Sequence, residues 1–204
     1  AEMIRDYTLQ ASGLLSAKIG GPSVKPYQPE GVWEAVAMRG SNTRDYRRDQ
    51  GESLYRRSLY TFWKRSAPPA SMDIFNAPSR EVCTIRRDRT NTPLQALATL
   101  NDPQAIEAAR NLAAIAIKSS SEPDVRIDLI AKRVLARSFD APELEIIKDS
   151  IASLSQHFQE NPDAAIELIK VGDSPVPADM ATSELATYTM LANQVMNLDE
   201  VLNK

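Results

Sequence analysis

Seven basic side chains, Arg56, Arg57, Lys64, Arg65, Arg86, Arg87 and Arg89, stand close together in the first half of the chain, interleaved with Tyr55, Tyr60, Phe62 and Trp63. Guanidinium forks suit a carboxylate, sulfate or phosphate bidentately, while lysine supplies a point charge. Flat aromatic faces beside them can stack on a sugar ring. The residues expected to hold a ligand are therefore Arg56, Arg57, Tyr60, Trp63, Lys64, Arg65, Arg86, Arg87 and Arg89. The competing reading is structural: the arginines pair with Glu81, Asp88 or acidic helices further on, and the aromatics enter the core.

Other groups offer less chemistry. Asp45, Asp49, Glu52, Asp73 and Asp88 could serve a hydrolase only if two of them faced each other across a substrate. The single histidine, His157, has no neighbours that complete a triad and lies near an expected helix end. The single cysteine, Cys83, sits among arginines that would lower a thiol's pKa, yet its more ordinary role is a small buried hydrophobe. One cysteine excludes an intrachain disulfide, and neither a CxxCH haem attachment nor a zinc-type cysteine pairing is present. No cofactor is expected in this stretch of chain.

The 204 residues are 43% hydrophobic and 25% charged, which suits one globular domain with a real core. No apolar run approaches the ~18 residues of a membrane span. A net charge of −3 and a pI near 5.3, without a recognition-helix or RNA-binding signature, argue against nucleic acid. The charge is nonetheless divided. Residues 39–89 carry twelve Lys/Arg against six Asp/Glu (+6), and residues 141–204 carry three against eleven (−8). Either the two regions face each other or each meets a separate partner.

The elements that position these groups are helices. Five of the seven glycines fall between Gly20 and Gly51, and only Gly172 lies beyond Pro93. Residues 1–92 are thus expected to be loop-rich and 93–204 helical. Thr92-Pro93-Leu94-Gln95 reads as a capping box, and Asp102-Pro103 and Asp140-Ala141-Pro142-Glu143 open further helices. Leu144, Ile147, Ile151, Leu154 and Phe158 form an apolar stripe at three- and four-residue steps. Helices are predicted over 2–19, 93–100, 103–118, 124–138, 142–159, 163–170 and 183–202, with a short one near Val32–Met38. The run 54–65 fits helix or strand, and helix is favoured. The fold class is all-α, a helical bundle with a loop-rich, Pro/Gly-rich N-terminal half. An apolar helical pattern that starts uncapped at residue 1 leads to the expectation that the chain is a fragment of a longer protein.

The segments AEMIRD (1–6), KIGGPSVKPYQP (18–29), LYRRSLYTFWKRS (54–66), RRDRTNTPLQAL (86–97) and MNLDEVLNK (196–204) follow one another in an order that resembles a planctomycete-specific C-terminal domain. Ser66 and Ala70 depart from it, where threonine and proline are common. That family has no assigned activity and no established catalytic residues. The resemblance implies an exported, extracytoplasmic parent, often with a planctomycete-type cytochrome c domain upstream. It also implies bacteria rich in sulfatases and polysaccharide-degrading enzymes. Two functions follow as expectations. One is a non-catalytic binding or assembly module, docking an anionic polysaccharide or a partner domain through the basic–aromatic residues. The other is an enzyme domain, hydrolytic or redox-coupled, using carboxylates near the arginines.

Overall fold

The computed structural model describes residues 1–203. Ten α-helices run in the order α1 (Glu2–Ser12), α2 (Val32–Val36), α3 (Ala70–Asp73), α4 (Pro93–Asn101), α5 (Pro103–Ser119), α6 (Pro123–Leu135), α7 (Ala141–Glu160), α8 (Pro162–Ile169), α9 (Thr182–Met196) and α10 (Asp199–Leu202). Among the described residues there is no sheet, only three isolated bridge pairs. The protein is all-α.

Helix α5 is the central post. It packs against α9, α1 and α6, while α7 and α8 close over the far side of α9. Small side chains make this possible: Ala108, Ala109, Ala113 and Ala116 on α5 and Ala186 and Ala192 on α9 are all fully buried. Interhelical distance follows the side chains at the contact, so alanine faces let two backbones approach closely. Leu112, Ile127, Ile130, Leu185, Leu191 and Val195 fill the remaining space.

The cap signals hold at the level of single bonds. The Thr92 hydroxyl accepts from the Gln95 amide and Gln95 reaches back to the Thr92 amide. Asp102 accepts from the amides of Gln104 and Ala105 at 2.7 and 3.2 Å. Asp140 and Glu143 form the same reciprocal pair at the start of α7.

Three elements differ from expectation. Helix α1 stops at Ser12, not near residue 19, because Gly13 takes a left-handed conformation (φ 75°) and caps it. The chain is then free to lie beside 55–62, where the Ser16 amide donates to Tyr55 and the Phe62 amide to Val24. The 54–65 run is not one helix but two 3-10 turns, Gly51–Tyr55 and Ser58–Tyr60. Side chains from α1 take the backbone groups that a helix would pair internally. Arg5 donates to the carbonyls of Leu54 and Arg56, and Asp6 accepts from the Ser58 amide. The last helix is interrupted at Asn197, whose side chain is bonded to Thr99 and Ala96 of α4.

Arg137 ties the α6–α7 junction to α10 through Glu143 and Glu200, at 2.7 Å each. Hydrogen bonds from Arg137 hold the Glu143 carboxyl at about 2, below its ordinary 4.5. A depressed carboxylate contributes stability that is present above the unfolded value and lost as pH falls toward the folded one. Thermal stability should therefore decline between pH 4.5 and about 2, and Glu143→Gln should flatten that part of the profile. An unchanged slope in the variant would contradict this.

Candidate docking site

The structure separates the nine expected ligand residues into two groups. Arg56 is buried, and its guanidinium donates to the carbonyls of Pro22 (2.9 Å), Gly20 and Lys18. It also stacks 3.8 Å from the centre of the Tyr60 ring, and the Tyr60 hydroxyl accepts from the Gly20 amide at 2.8 Å. Arg56 and Tyr60 together clamp the 18–22 turn. Lys64 donates to the Thr43 carbonyl at 2.8 Å and lies 4.7 Å above Trp33. Trp33 is itself buried between Tyr46 and Phe62. Arg57 is half-buried and Arg65 exposed. Trp63 is covered by Arg80, 4.3 Å from its ring centre. Cation–π pairs of this kind hold loops together, and they remove the ring faces from solvent.

Arg86, Arg87 and Arg89 belong elsewhere. They lie on a segment, residues 79–94, that is exposed throughout and carries Val82 and Ile85 outward. Its near end is pinned by Arg80 on Trp63. Its far end is pinned at Thr90, whose hydroxyl accepts from Asn76 and Gln95 at 2.8 Å each. From Val82 to Asn91, the Asp88 carbonyl is the one backbone group with a hydrogen bond among the described residues. The segment forms a strap over a cleft of about 820 Å³. The first turns of α1, Phe75, Asn76, Gln95 and the Val201–Asn203 end of the chain line the cleft with the three arginines. Arg87 is bonded to Glu2 of α1, whereas Arg86 and Arg89 have no carboxylate partner among the described residues. Burial pushes the Glu2 carboxyl up, but the Arg87 bond, a backbone hydrogen bond and the nearby positive charges together hold it below its ordinary value. Neither Tyr60 nor Trp63 lines this cleft.

Of the five candidate carboxylates, Asp49 accepts from the Lys25 amide, Glu52 accepts from Ser16, Asp45 and Asp73 are exposed, and only Asp88 faces the cleft. Cys83 lies exposed on the strap rather than buried. His157 stands edge-on to Phe158. Among the described residues no three His, Cys, Asp or Glu side chains converge on a metal-sized space. No helix among the described residues is long and apolar enough to cross a membrane.

A second polar constellation escaped the sequence reading. Glu107, on α5, is fully buried and accepts from Tyr27 (3.1 Å), Tyr55 (2.8 Å) and the Ser174 amide (2.5 Å). One turn on, the buried Arg110 donates to the carbonyls of Ile169, Val171 and Ser174 and to the Ser174 hydroxyl. Burial and the Glu107 charge raise both phenols, so they stay protonated donors. Burial likewise lowers the Arg110 pKa. Every carboxylate oxygen is taken up from within, which makes this a latch rather than a reactive site. It joins the loop-rich half to the 170–175 loop. Its one sequence trace is Gly172, where a Cβ would lie 2.5 Å from Glu107.

No curated protein and no solved structure is significantly similar to this chain. Residues 1–151 match the family model PSD1, described as a protein of unknown function (DUF1553). The matched stretch ends within α7, and α8–α10 complete the core. With about three-quarters of its length covered by that model, the chain belongs to the PSD1 family of proteins of unknown function.

Proposed function

We propose that the domain is a non-catalytic docking module that binds an acidic protein surface in the cleft under the arginine strap. The observation that carries this reading is the exposure of Arg86 and Arg89, unpaired among the described residues, above a cleft of about 820 Å³. Guanidinium groups held over a cavity and not paired with a carboxylate there are available to an external one. The large rings that a glycan would stack on favour a protein ligand over an anionic polysaccharide, because Arg56, Arg80 and Lys64 already cover Tyr60, Trp63 and Trp33. The enzyme reading has little support in the cleft, whose carboxylates are Asp88 and an arginine-bound Glu2. On the family resemblance, we place the module at the C-terminal end of an extracytoplasmic protein that often carries a cytochrome c domain, with the acidic partner a neighbouring domain or protein.

Calorimetric titration with an Asp/Glu-rich decapeptide tests this. Binding should weaken as salt rises, since exposed charges are screened over ~8–10 Å at moderate ionic strength. It should fall at least tenfold in the Arg86→Ala/Arg89→Ala variant, with the melting temperature unchanged. Binding that ignores both salt and the double substitution would sink the proposal. Tighter, arginine-dependent binding of a sulfated oligosaccharide would transfer the site to a glycan.

A further inference from the structure

The cleft does not end at the strap. A smaller cavity of about 70 Å³ adjoins it, with Ala1, Ile4 and Phe75 lining both. Thr8, Met72, Ala98 and Ala105 complete the carbon lining. Polar groups reach the cavity, yet most are turned to partners inside the fold; Ser71, the amino group of Ala1 and one oxygen of Asp102 are the exceptions. The Arg5 guanidinium is spent on Gln104, Ser58 and the carbonyls of Leu54 and Arg56. Asp102 caps α5, and the hydroxyls of Thr8 and Thr99 return to carbonyls of their own helices. A space lined mainly by carbon, with most of its hydrogen-bonding groups satisfied from behind, suits an apolar group better than a polar one. Since a water needs about 10–15 Å³ by this measure, the cavity has room for a short aliphatic side chain.

The strap above contributes a second feature. Its amides and carbonyls from Val82 to Asn91 are almost entirely unpaired among the described residues, and Val82, Thr84 and Ile85 are good strand formers. An extended peptide can add itself to such a main chain, with pockets reading its side chains.

Resting on the docking reading above, we infer that this cavity is a socket for one aliphatic side chain of the acidic partner. The ligand is then an extended peptide in which a valine, leucine or methionine stands beside carboxylates. Arg86 and Arg89 take the carboxylates, the socket takes the aliphatic group, and the strap takes the peptide backbone. Charge draws the partner in, whereas the socket selects which acidic sequence stays.

The test uses fluorescently labelled decamers of Glu and Ser with one central position set to Ser, Ala, Val, Leu or Met. Anisotropy with the 204-residue chain should show the Leu or Met peptide binding at least tenfold tighter than the Ser peptide. Ala105→Leu, which fills the socket, should erase that preference while leaving the arginine-dependent binding of the Ser peptide. Ala98→Leu fills the same space from α4 and serves if Ala105→Leu fails to fold. The Met72 methyl resonance should move with the Leu peptide and stay with the Ser peptide. Equal binding of Leu and Ser peptides, still dependent on Arg86 and Arg89, refutes the socket and leaves the docking reading standing. No binding of any peptide refutes both. Arginine-dependent self-association of the chain that excludes the peptides would put the acidic α7 of a second copy in the cleft, and overturns the peptide assignment.

Discussion

Truncating Arg110 to alanine should destabilise the protein by about 3–5 kcal/mol, the range for breaking a buried charged network by removing one member. Arg110 is 1% exposed and its donors satisfy three carbonyls, that of Ile169 at the end of α8 and those of Val171 and Ser174 in the loop that follows. Without them the Ile169 carbonyl is left buried and unpaired and those of Val171 and Ser174 half-buried, at ~1–3 kcal/mol for a fully buried unpaired group and less for the others. Glu107, one turn earlier on the same helix, also loses the positive charge that offsets its burial. Gly172→Ala should act in the same direction for a different reason. Its Cβ would lie 2.5 Å from Glu107 at φ +91°, so both the contact and the backbone are strained. Urea unfolding followed by circular dichroism checks both variants. A loss below about 1 kcal/mol for Arg110→Ala, within the worth of one ordinary hydrogen bond, would show that the latch is not a structural joint.

Arg56→Ala and Arg86→Ala should part company. Arg56 is 4% exposed and bonded to the carbonyls of the 18–22 turn, so its loss should cost about 3 kcal/mol through unpaired carbonyls and the bared Tyr60 ring. Arg86 projects from the strap and its loss should stay within about 0.5 kcal/mol, as surface substitutions do. The same pair should reverse in a binding experiment, where Arg86→Ala weakens capture of an acidic peptide at unchanged stability. Thermal melts of the two proteins decide the matter. A marked loss of stability in Arg86→Ala would mean that the strap arginines are part of the fold.

The contrast between these arginines marks how far the sequence could be read. Helices α4, α5 and α7 were legible because their start signals are local. Thr92, Asp102 and Asp140 each bond to amides two or three residues away. The 54–65 run was not, because what decides it is Arg5 and Asp6, some fifty residues earlier. The end of α1 has a signal in Gly13, but Gly20, Gly21 and Pro22 follow it as a stronger helix-breaking run and make the earlier stop hard to see from sequence. In the basic cluster, residue type named candidates but could not sort them. Arg56 and Arg86 both open an Arg-Arg pair, yet one is enclosed by carbonyls and the other stands over a cleft. The charge division was visible as composition, while its outcome was not. Arg48–Asp173 joins 39–89 to 141–203 as an ion pair, whereas Arg56 and Lys64 turn inward to backbone carbonyls and Arg86 and Arg89 stay exposed.

The most direct test of the central claim is nuclear magnetic resonance mapping of the ¹⁵N-labelled chain during titration with an Asp/Glu-rich decapeptide. Docking under the strap predicts that shifts concentrate on the 82–91 amides, the first turns of α1 and the Phe75–Asn76 turn, and shrink as salt is added. Shifts centred instead on Arg57, Trp63 and Arg65, or spread evenly over the basic surface, would contradict the assignment of the cleft as the docking site.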